Sequence, residues 1–340
     1  MSSRPYLHIA ATLATTFAFL LPASLLQAKG PEYTRPKKAQ KQDPDFALQG
    51  EYTGELDVDG GLKIGIQVIA MGKGKFAARS YQGGLPGDGW DKQVGEFVEA
   101  SKKDDGSVTF EAAQADAVLK DGQVAIVYDG SEIGTLEKVN RKSETLGKKP
   151  PAGAIVLFDG KNVDNWENAV MDGKMMAFGP KGTMSKRKFG DHTLHIEFRL
   201  PYMPEARGQG RGNSGIYLQG RYEVQMLDSF GLEGKDNECG GIYKISKPKQ
   251  NMCYPPLRWQ TYDIDFIAGK FDKDGKEISK PMMTVKHNGV VIHKDLKLPN
   301  TTTAAPIKKP GPVGPVYLQD HGNPVRYRNI WVVDKSEAQI

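Results

Sequence analysis

Apolar residues recur along this chain mostly at every second position. Leu194, Ile196, Phe198 and Leu200 alternate with His195, Glu197 and Arg199, the pattern of a strand with one face in a core. Tyr262, Ile264 and Phe266 alternate with Asp263 and Asp265, and Leu62, Ile64, Ile66 and Val68 with Lys63, Gly65 and Gln67. The same reading predicts short strands over 76–80, 108–111, 124–128, 135–139, 284–286, 290–293, 316–319 and 327–333. Gly- and Asn-centred turns separate them, including Asp105-Gly106, Asp121-Gly122, Asp129-Gly130 and Asn288-Gly289. No apolar periodicity predicts a helix longer than about two turns. Regular short strands with long loops predict an all-β chain whose second half is a two-sheet sandwich.

The stretch Gly212–Gly231 is the most informative hairpin. Ile216–Gln219 and Tyr222–Leu227 read as strands around a Gly220-Arg221 turn, which sets Leu218 opposite Glu223 and Ile216 opposite Gln225. Glu223 and Gln225 then project from one face, and Asp228 follows at the strand end. Such groups are costly to bury unless they are paired or used. A solvated outer face is the alternative reading.

Breaks in the pattern divide the chain. Residues 1–28 carry Arg4 and an apolar run, Ile9–Leu26, ending at Ala28, as a cleaved signal peptide does. The mature chain is therefore expected to be exported, periplasmic or extracellular, with no stable membrane insertion. Residues 29–46 read as a flexible leader, 47–147 as a small all-β accessory domain, Gly147–Gly153 as a linker, and 153–335 as the second domain. Trp90, in the turn-rich Gly83–Trp90 segment, reads as a loop anchor or a ligand platform. Of the histidines, His192, His287 and His293 are expected at the surface, as are Asp263 and Asp265.

Charge narrows the function less than the pattern does. The 340 residues hold 46 Lys+Arg against 41 Asp+Glu, spread without the basic, aromatic-interleaved stripe of a nucleic-acid binder. Cys239 and Cys253 are the two cysteines. In an oxidising compartment they would form a disulfide, contributing about 3 kcal/mol; two free thiols are the alternative. Gly208–Gly215 is glycine-rich, but no Gly-Lys-Ser/Thr follows, and no GxSxG or HExxH occurs. The remaining chemistry is that of carboxylates, histidines and arginines on sheet faces.

Residues 153–335 resemble the 3-keto-disaccharide hydrolase family, also described as 3-keto-glucoside 1,2-lyase/3-keto-2-hydroxy-glucal hydratase. The resemblance is carried, in order, by LFDGKNVDNW (157–166), HIEFR (195–199), GNSGIYLQGRYEVQMLDS (212–229), GGIY (240–243), the Trp259–Ile264 strand, HNGV (287–290) and GPVYLQDHGNPVRYRNIWV (314–332). It implies a concanavalin A-like jelly roll and a carbohydrate substrate. It also implies cleavage of 3-keto-glycosides by C2 proton abstraction, elimination of the C1 aglycone and hydration. On that reading His321 and Glu223 move protons and Arg199 or Arg328 stabilises the enolate. Glu197, Asn213, Gln225, Asp228, Tyr243 and Gln319 would bind substrate. No cofactor is required, though a divalent metal could take the arginines' role. The hairpin also resembles the E-x-D-x-x-E strand of jelly-roll endoglucanases, as Glu223-x-Gln225-x-x-Asp228. That leaves a conventional glycosidase using Glu223 and Asp228 as an alternative. A non-catalytic carbohydrate-binding protein, stacking sugars on Tyr217, Tyr243, Tyr254 or Trp259, is another. The eight residues Glu197, Arg199, Glu223, Gln225, Asp228, Gln319, His321 and Arg328 are expected on one concave face.

Overall fold

The computed structural model describes residues 30–336. The expected signal peptide and its cleavage point lie outside the described residues. Among those described, no helix is long and apolar enough to cross a membrane.

The first region is an eight-stranded antiparallel meander: β1 (Gly50–Leu56), β2 (Leu62–Gly72), β3 (Lys75–Gln82), β4 (Val94–Ser101), β5 (Val108–Phe110), β6 (Asp116–Lys120), β7 (Gln123–Tyr128) and β8 (Ser131–Val139). The order is β4-β3-β2-β1-β8-β7-β6-β5. The sheet curls until its edge strands meet at a single bridge, Lys102 to Val108. Its interior holds Tyr52, Val68, Phe76, Leu119, Val124 and Leu136, all fully buried. Trp90 is a loop anchor: its indole N–H donates to the Gln93 carbonyl (2.7 Å), and its ring meets Tyr81 edge-on.

The leader is not loose where it is described. Helix α1 (Pro36–Gln42) starts on a proline, which the first helical position tolerates because its N–H is unpaired anyway. Tyr33 forms a two-hydrogen-bond bridge with Tyr202, stacks on its ring, and is buried with Ala39. A few apolar anchors, too sparse to make a period, dock this segment against both regions. The Gly147–Gly153 linker is likewise tied down at its start. The Gly147 N–H donates to Glu197 (2.6 Å), and the Lys148 carbonyl accepts from Asn329 and Trp331.

The second region runs through β9 (Ile155–Phe158), β10 (Trp166–Glu167), β11 (Ala169–Asp172), β12 (Met175–Phe178), β13 (Thr183–Phe189), β14 (His192–Arg199), β15 (Ser214–Leu218), β16 (Tyr222–Met226), β17 (Trp259–Ile267), β18 (Lys270–Phe271), β19 (Glu277–Ser279), β20 (Met282–His287), β21 (Val290–Lys297), β22 (Gly314–Leu318) and β23 (Arg326–Asp334). Two sheets result. The smaller has the order β10-β13-β22-β15-β16; the larger is β11-β12-β23-β14-β17-β20-β21, with β9 on β23. Leu194, Ile196 and Phe198 of the larger sheet share one core with Ile216, Leu218, Val224 and Val316 of the smaller. This is the two-sheet sandwich that the alternation predicts, jelly-roll-like as the family resemblance implies.

Two expectations fail in that core. Cys239 and Cys253 are free thiols, not a disulfide. Cys239 Sγ lies 3.3 Å from the Tyr262 hydroxyl and Cys253 Sγ 3.5 Å from the Leu227 carbonyl, and both pack in the apolar core, where thiols serve as small hydrophobes. The histidines expected at the surface are buried. His192 Nδ1 lies 2.7 Å from the Gly190 carbonyl, His287 Nε2 2.9 Å from Gln260, and His293 Nε2 2.8 Å from the Gly240 carbonyl. Each is held neutral: burial lowers the pKa of all three, that of His287 to about 3.

Candidate active site

The β15–β16 hairpin turns through three residues, Gln219-Gly220-Arg221, with Gln219 and Gly220 both at positive φ. The expected two-residue turn is thus one residue too short. Tyr217, not Leu218, stands opposite Glu223, and Gly215 stands opposite Gln225. The slip does not split Glu223 from Gln225, because residues two apart keep one face. It changes their neighbours from apolar core residues to Tyr217 and Gly215.

On this outer face of the smaller sheet Glu223 is 1% exposed. It lies over Gly215, where a Cβ would come 2.3 Å from its Oε1; glycine is the residue that leaves room for the carboxylate. The Tyr217 hydroxyl bonds to Glu223 and accepts from Gln319 Nε2 at 2.9 Å. Gln319 extends β22, whose Tyr317 packs on Tyr217 with ring centroids 5.4 Å apart. Glu223 Oε2 has no partner. Burial raises the Glu223 pKa, the Tyr217 hydrogen bond opposes it, and the outcome is about 7. A carboxyl group tuned to neutrality can both take and give a proton at physiological pH.

Amides surround it. Gln225 Nε2 donates to Gln209 Oε1 (3.2 Å), which also accepts from Asn213 Nδ2 (3.1 Å). Asn213 is buried and its Oδ1, like Glu223 Oε2, is unpartnered. The free edge of β16 is covered by 240–243, where the Tyr243 N–H donates to the Glu223 carbonyl (3.2 Å). Two unsatisfied buried acceptors are what a ligand bearing hydroxyl donors would complete.

The eight residues expected together are divided between opposite faces. Glu223, Gln225 and Gln319 share the face just described. Glu197, Arg199 and Arg328 project from the larger sheet, away from the common core, because their neighbours Ile196 and Phe198 fill it. Arg328 Nε donates to Glu197 Oε2 at 2.6 Å and its guanidinium lies 4.1 Å from the Trp259 ring centroid. Arg199 stacks on the same ring at 4.8 Å and donates to the Thr34 carbonyl. His195 bridges Asp263 (2.9 Å) and Glu197 (3.8 Å). Asp263 is therefore buried rather than solvated, while Asp265 is exposed as expected. Residues 143–148 of the first region's exit close over this cluster. Strand alternation announces a polar face on both sheets; it does not say that one of them is covered by another part of the chain.

Asp228 packs beside Gly212, and its Oδ1 is also buried and unpartnered. Arg211 Nε donates to its Oδ2 at 2.6 Å, and Arg211 NH1 reaches the Ala70 carbonyl of β2 (3.3 Å), so the pair secures the junction between regions. The Arg211 pair commits one Asp228 oxygen, which weighs against the Glu223/Asp228 glycosidase reading. His321 is exposed in the loop after β22. That loop is pinned on both sides of it: the Gln319 N–H donates to the Gly215 carbonyl, and Asn323 Oδ1 accepts from the Asn213 N–H. His321 therefore belongs to the rim and not the floor. Tyr217, expected only as a stacking surface, is the residue whose role the sequence under-reads. Among the described residues no group of three or more His, Cys, Asp or Glu is placed to hold a metal.

Comparison with known proteins bears on residues 153–333, which match the family described as 3-keto-alpha-glucoside-1,2-lyase-like domain. A protein described as a candidate glycosyl hydrolase from Parabacteroides distasonis ATCC 8503, solved at 2.13 Å, is 37% identical. The match covers 54% of this chain and 84% of that one, with a TM-score of 0.50. A second such protein from the same organism is 16% identical over 54% of this chain and 94% of its own, with a TM-score of 0.41. No curated protein matches.

Proposed function

The chain belongs to the 3-keto-alpha-glucoside-1,2-lyase-like family, and on that premise we propose that this glycoside-cleaving enzyme acts on 3-keto-glycosides, with Glu223 as its proton-transfer group. The observation that carries the proposal is a buried carboxyl group with a free oxygen and a pKa near 7. A ketone at C3 acidifies the C2 proton enough for such a base. Glu223 takes that proton, and the C2–H electron pair becomes the enolate. The pair then forms the C1=C2 bond as the C1–O bond breaks, and the departing oxygen takes up a proton. Water adds back across C1=C2, giving net hydrolysis.

The arginines assigned to the enolate lie on the far sheet, so neutral donors replace them. While Glu223 is ionised, the Tyr217 hydrogen is held by it. Once Glu223 is protonated, that hydroxyl is released to the developing C3 oxygen. His321, at the rim, is left to protonate the aglycone oxygen. Gln225, Gln319, Asn213 and Tyr243 orient the sugar hydroxyls. We place the enzyme outside the cytoplasm, on the strength of the Ile9–Leu26 run.

The test is turnover of a 3-keto-glucoside and of its unoxidised parent in deuterated water. The expected result is cleavage of the keto sugar alone, with deuterium at C2 of the product. Equal cleavage of the parent, without C2 exchange, would overturn the 3-keto reading.

A further inference from the structure

The barrel of the first region lies outside the family match, and its interior is unevenly filled. One end is packed solid by Tyr52, Val68, Phe76 and Leu136. The other end holds a partly open cavity of about 360 Å³. Its walls are Leu62, Ile64, Ala78, Val98, Phe110 and Ala117. The space exists partly because alanines occupy inward positions on β3 and β6, where larger residues would close it.

The seam gives the cavity an entrance. β4 pairs with β3 along its length but meets β5 only at the Lys102–Val108 bridge. Towards the other end of β4 the strands are held by one side-chain contact, Glu96 Oε2 accepting from the Ala113 N–H at 3.2 Å. Val94, at that end, is 59% exposed and Val98 is half-buried. The polar groups lining the cavity are Ser80, Gln82, Gln93, Gln114 and Glu96: amides, a hydroxyl and one carboxylate, with no cation.

We propose that this cavity binds a small, uncharged, largely apolar molecule carrying a hydroxyl or carbonyl at one end. The volume is roughly twice the ~150 Å³ apolar cavity that takes up benzene, and small β-barrels are built to hold one such ligand. The apolar wall supplies affinity, the amides orient the polar end, and Glu96 disfavours anions. The site is separate from Glu223, so ligand binding here does not require a competent catalytic face.

The full chain is titrated with the neutral fluorophore N-phenyl-1-naphthylamine, and with 1-anilinonaphthalene-8-sulfonate as its anionic counterpart. The expected result is saturable one-to-one binding of the neutral probe, with the sulfonate at least about tenfold weaker. Ala78→Phe fills the cavity from β3 and should weaken the neutral probe at least about tenfold. Should that variant fail to fold, Val98→Trp, at the half-exposed seam, makes the same test. Glu96→Gln should narrow the gap between the probes. Absence of saturable binding, binding unchanged in the folded cavity-filling variant, or preference for the sulfonate each overturns the proposal.

Discussion

Glu197 and Glu223 sit on strands with the same alternation, on opposite outer faces of one sandwich, and each is 1% exposed. Their acidities are shifted in opposite directions from the ordinary carboxylate value. Burial acts on both in the same direction, upward. At Glu197 it is outweighed by His195, Asn329, Arg328 and the Gly147 N–H, which hold the pKa at about 2. At Glu223 only Tyr217 opposes it, and the value is about 7. What distinguishes a structural carboxylate from a reactive one in this molecule is therefore not depth alone but also the number of donors that meet it. Glu197 is saturated because residues 143–148 were folded over it; Glu223 keeps an oxygen free.

Removing each carboxylate breaks the comparison in opposite ways. Glu197→Ala leaves the Gly147 N–H without its acceptor and takes the second carboxylate from the buried His195, which keeps Asp263. Arg328 is 38% exposed, so its loss is partly screened. The expected destabilisation is still about 3 kcal/mol, read as a lowered denaturation midpoint, with the turnover of the folded protein within a few-fold of wild type. Glu223→Gln should do the reverse. Turnover of a 3-keto-glucoside falls at least about a hundredfold, or ~2.7 kcal/mol, while stability above pH 7 rises because a buried charge is gone. A Glu197 variant that is stable but inactive, or a Glu223 variant that turns over normally, would show the two assignments to be exchanged.

Titration sharpens the same contrast. Glu223 has a folded pKa of about 7 against an ordinary 4.5, so between those values the folded state binds more protons than the unfolded. Its effect on stability is thus a loss as pH rises from about 4.5 to 7. Glu197, lowered to about 2, acts with the opposite sign: its contribution is complete above about 4.5 and disappears as pH falls towards 2. Glu223→Gln should flatten the loss between pH 4.5 and 7 and leave the acid limb in place, whereas Glu197→Gln should shrink the acid limb. For catalysis the ionised base is needed, so the limb of kcat/KM below pH 7 should rise about tenfold per unit, and any fall at higher pH belongs to the acid that protonates the aglycone oxygen. A profile without a rising limb below pH 7 would count against Glu223 as the base.

Much of this was legible before the structure. The sandwich follows from period-two alternation in 194–200 and 262–266, and Glu223 with Gln225 follows from the hairpin. What escaped was long-range. Residues 30–48 dock through isolated anchors such as Tyr33 and Ala39, which leave no period. The cover over Glu197 comes from Thr145 and Gly147, about fifty residues upstream, so nothing around Glu197 itself signals it. The hairpin register depended on Gln219 adopting positive φ, a conformation open to few residues with side chains. Arg199 and Arg328 were assigned by chemical type, and type alone does not tell the two sheet faces apart.

The finest distinction between the two carboxylates is the one hydroxyl on Glu223, and it supplies the smallest effect. Tyr217 lowers the Glu223 pKa by hydrogen bonding to its charged form. Tyr217→Phe removes that bond but keeps the ring against Tyr317, so the site should stay packed. The base then becomes harder to ionise, and the rising limb of kcat/KM should move to higher pH by roughly half a unit to one unit. If the hydroxyl also meets the C3 oxygen, the plateau falls as well, by about tenfold. The two readouts separate the roles. A shifted limb with an unchanged plateau makes Tyr217 a positioning residue that only tunes the base. A lowered plateau means that its hydrogen reaches the substrate. An unmoved limb would mean that Glu223 does not carry the pH dependence, because no other change at this site leaves the carboxylate in place while altering its one partner.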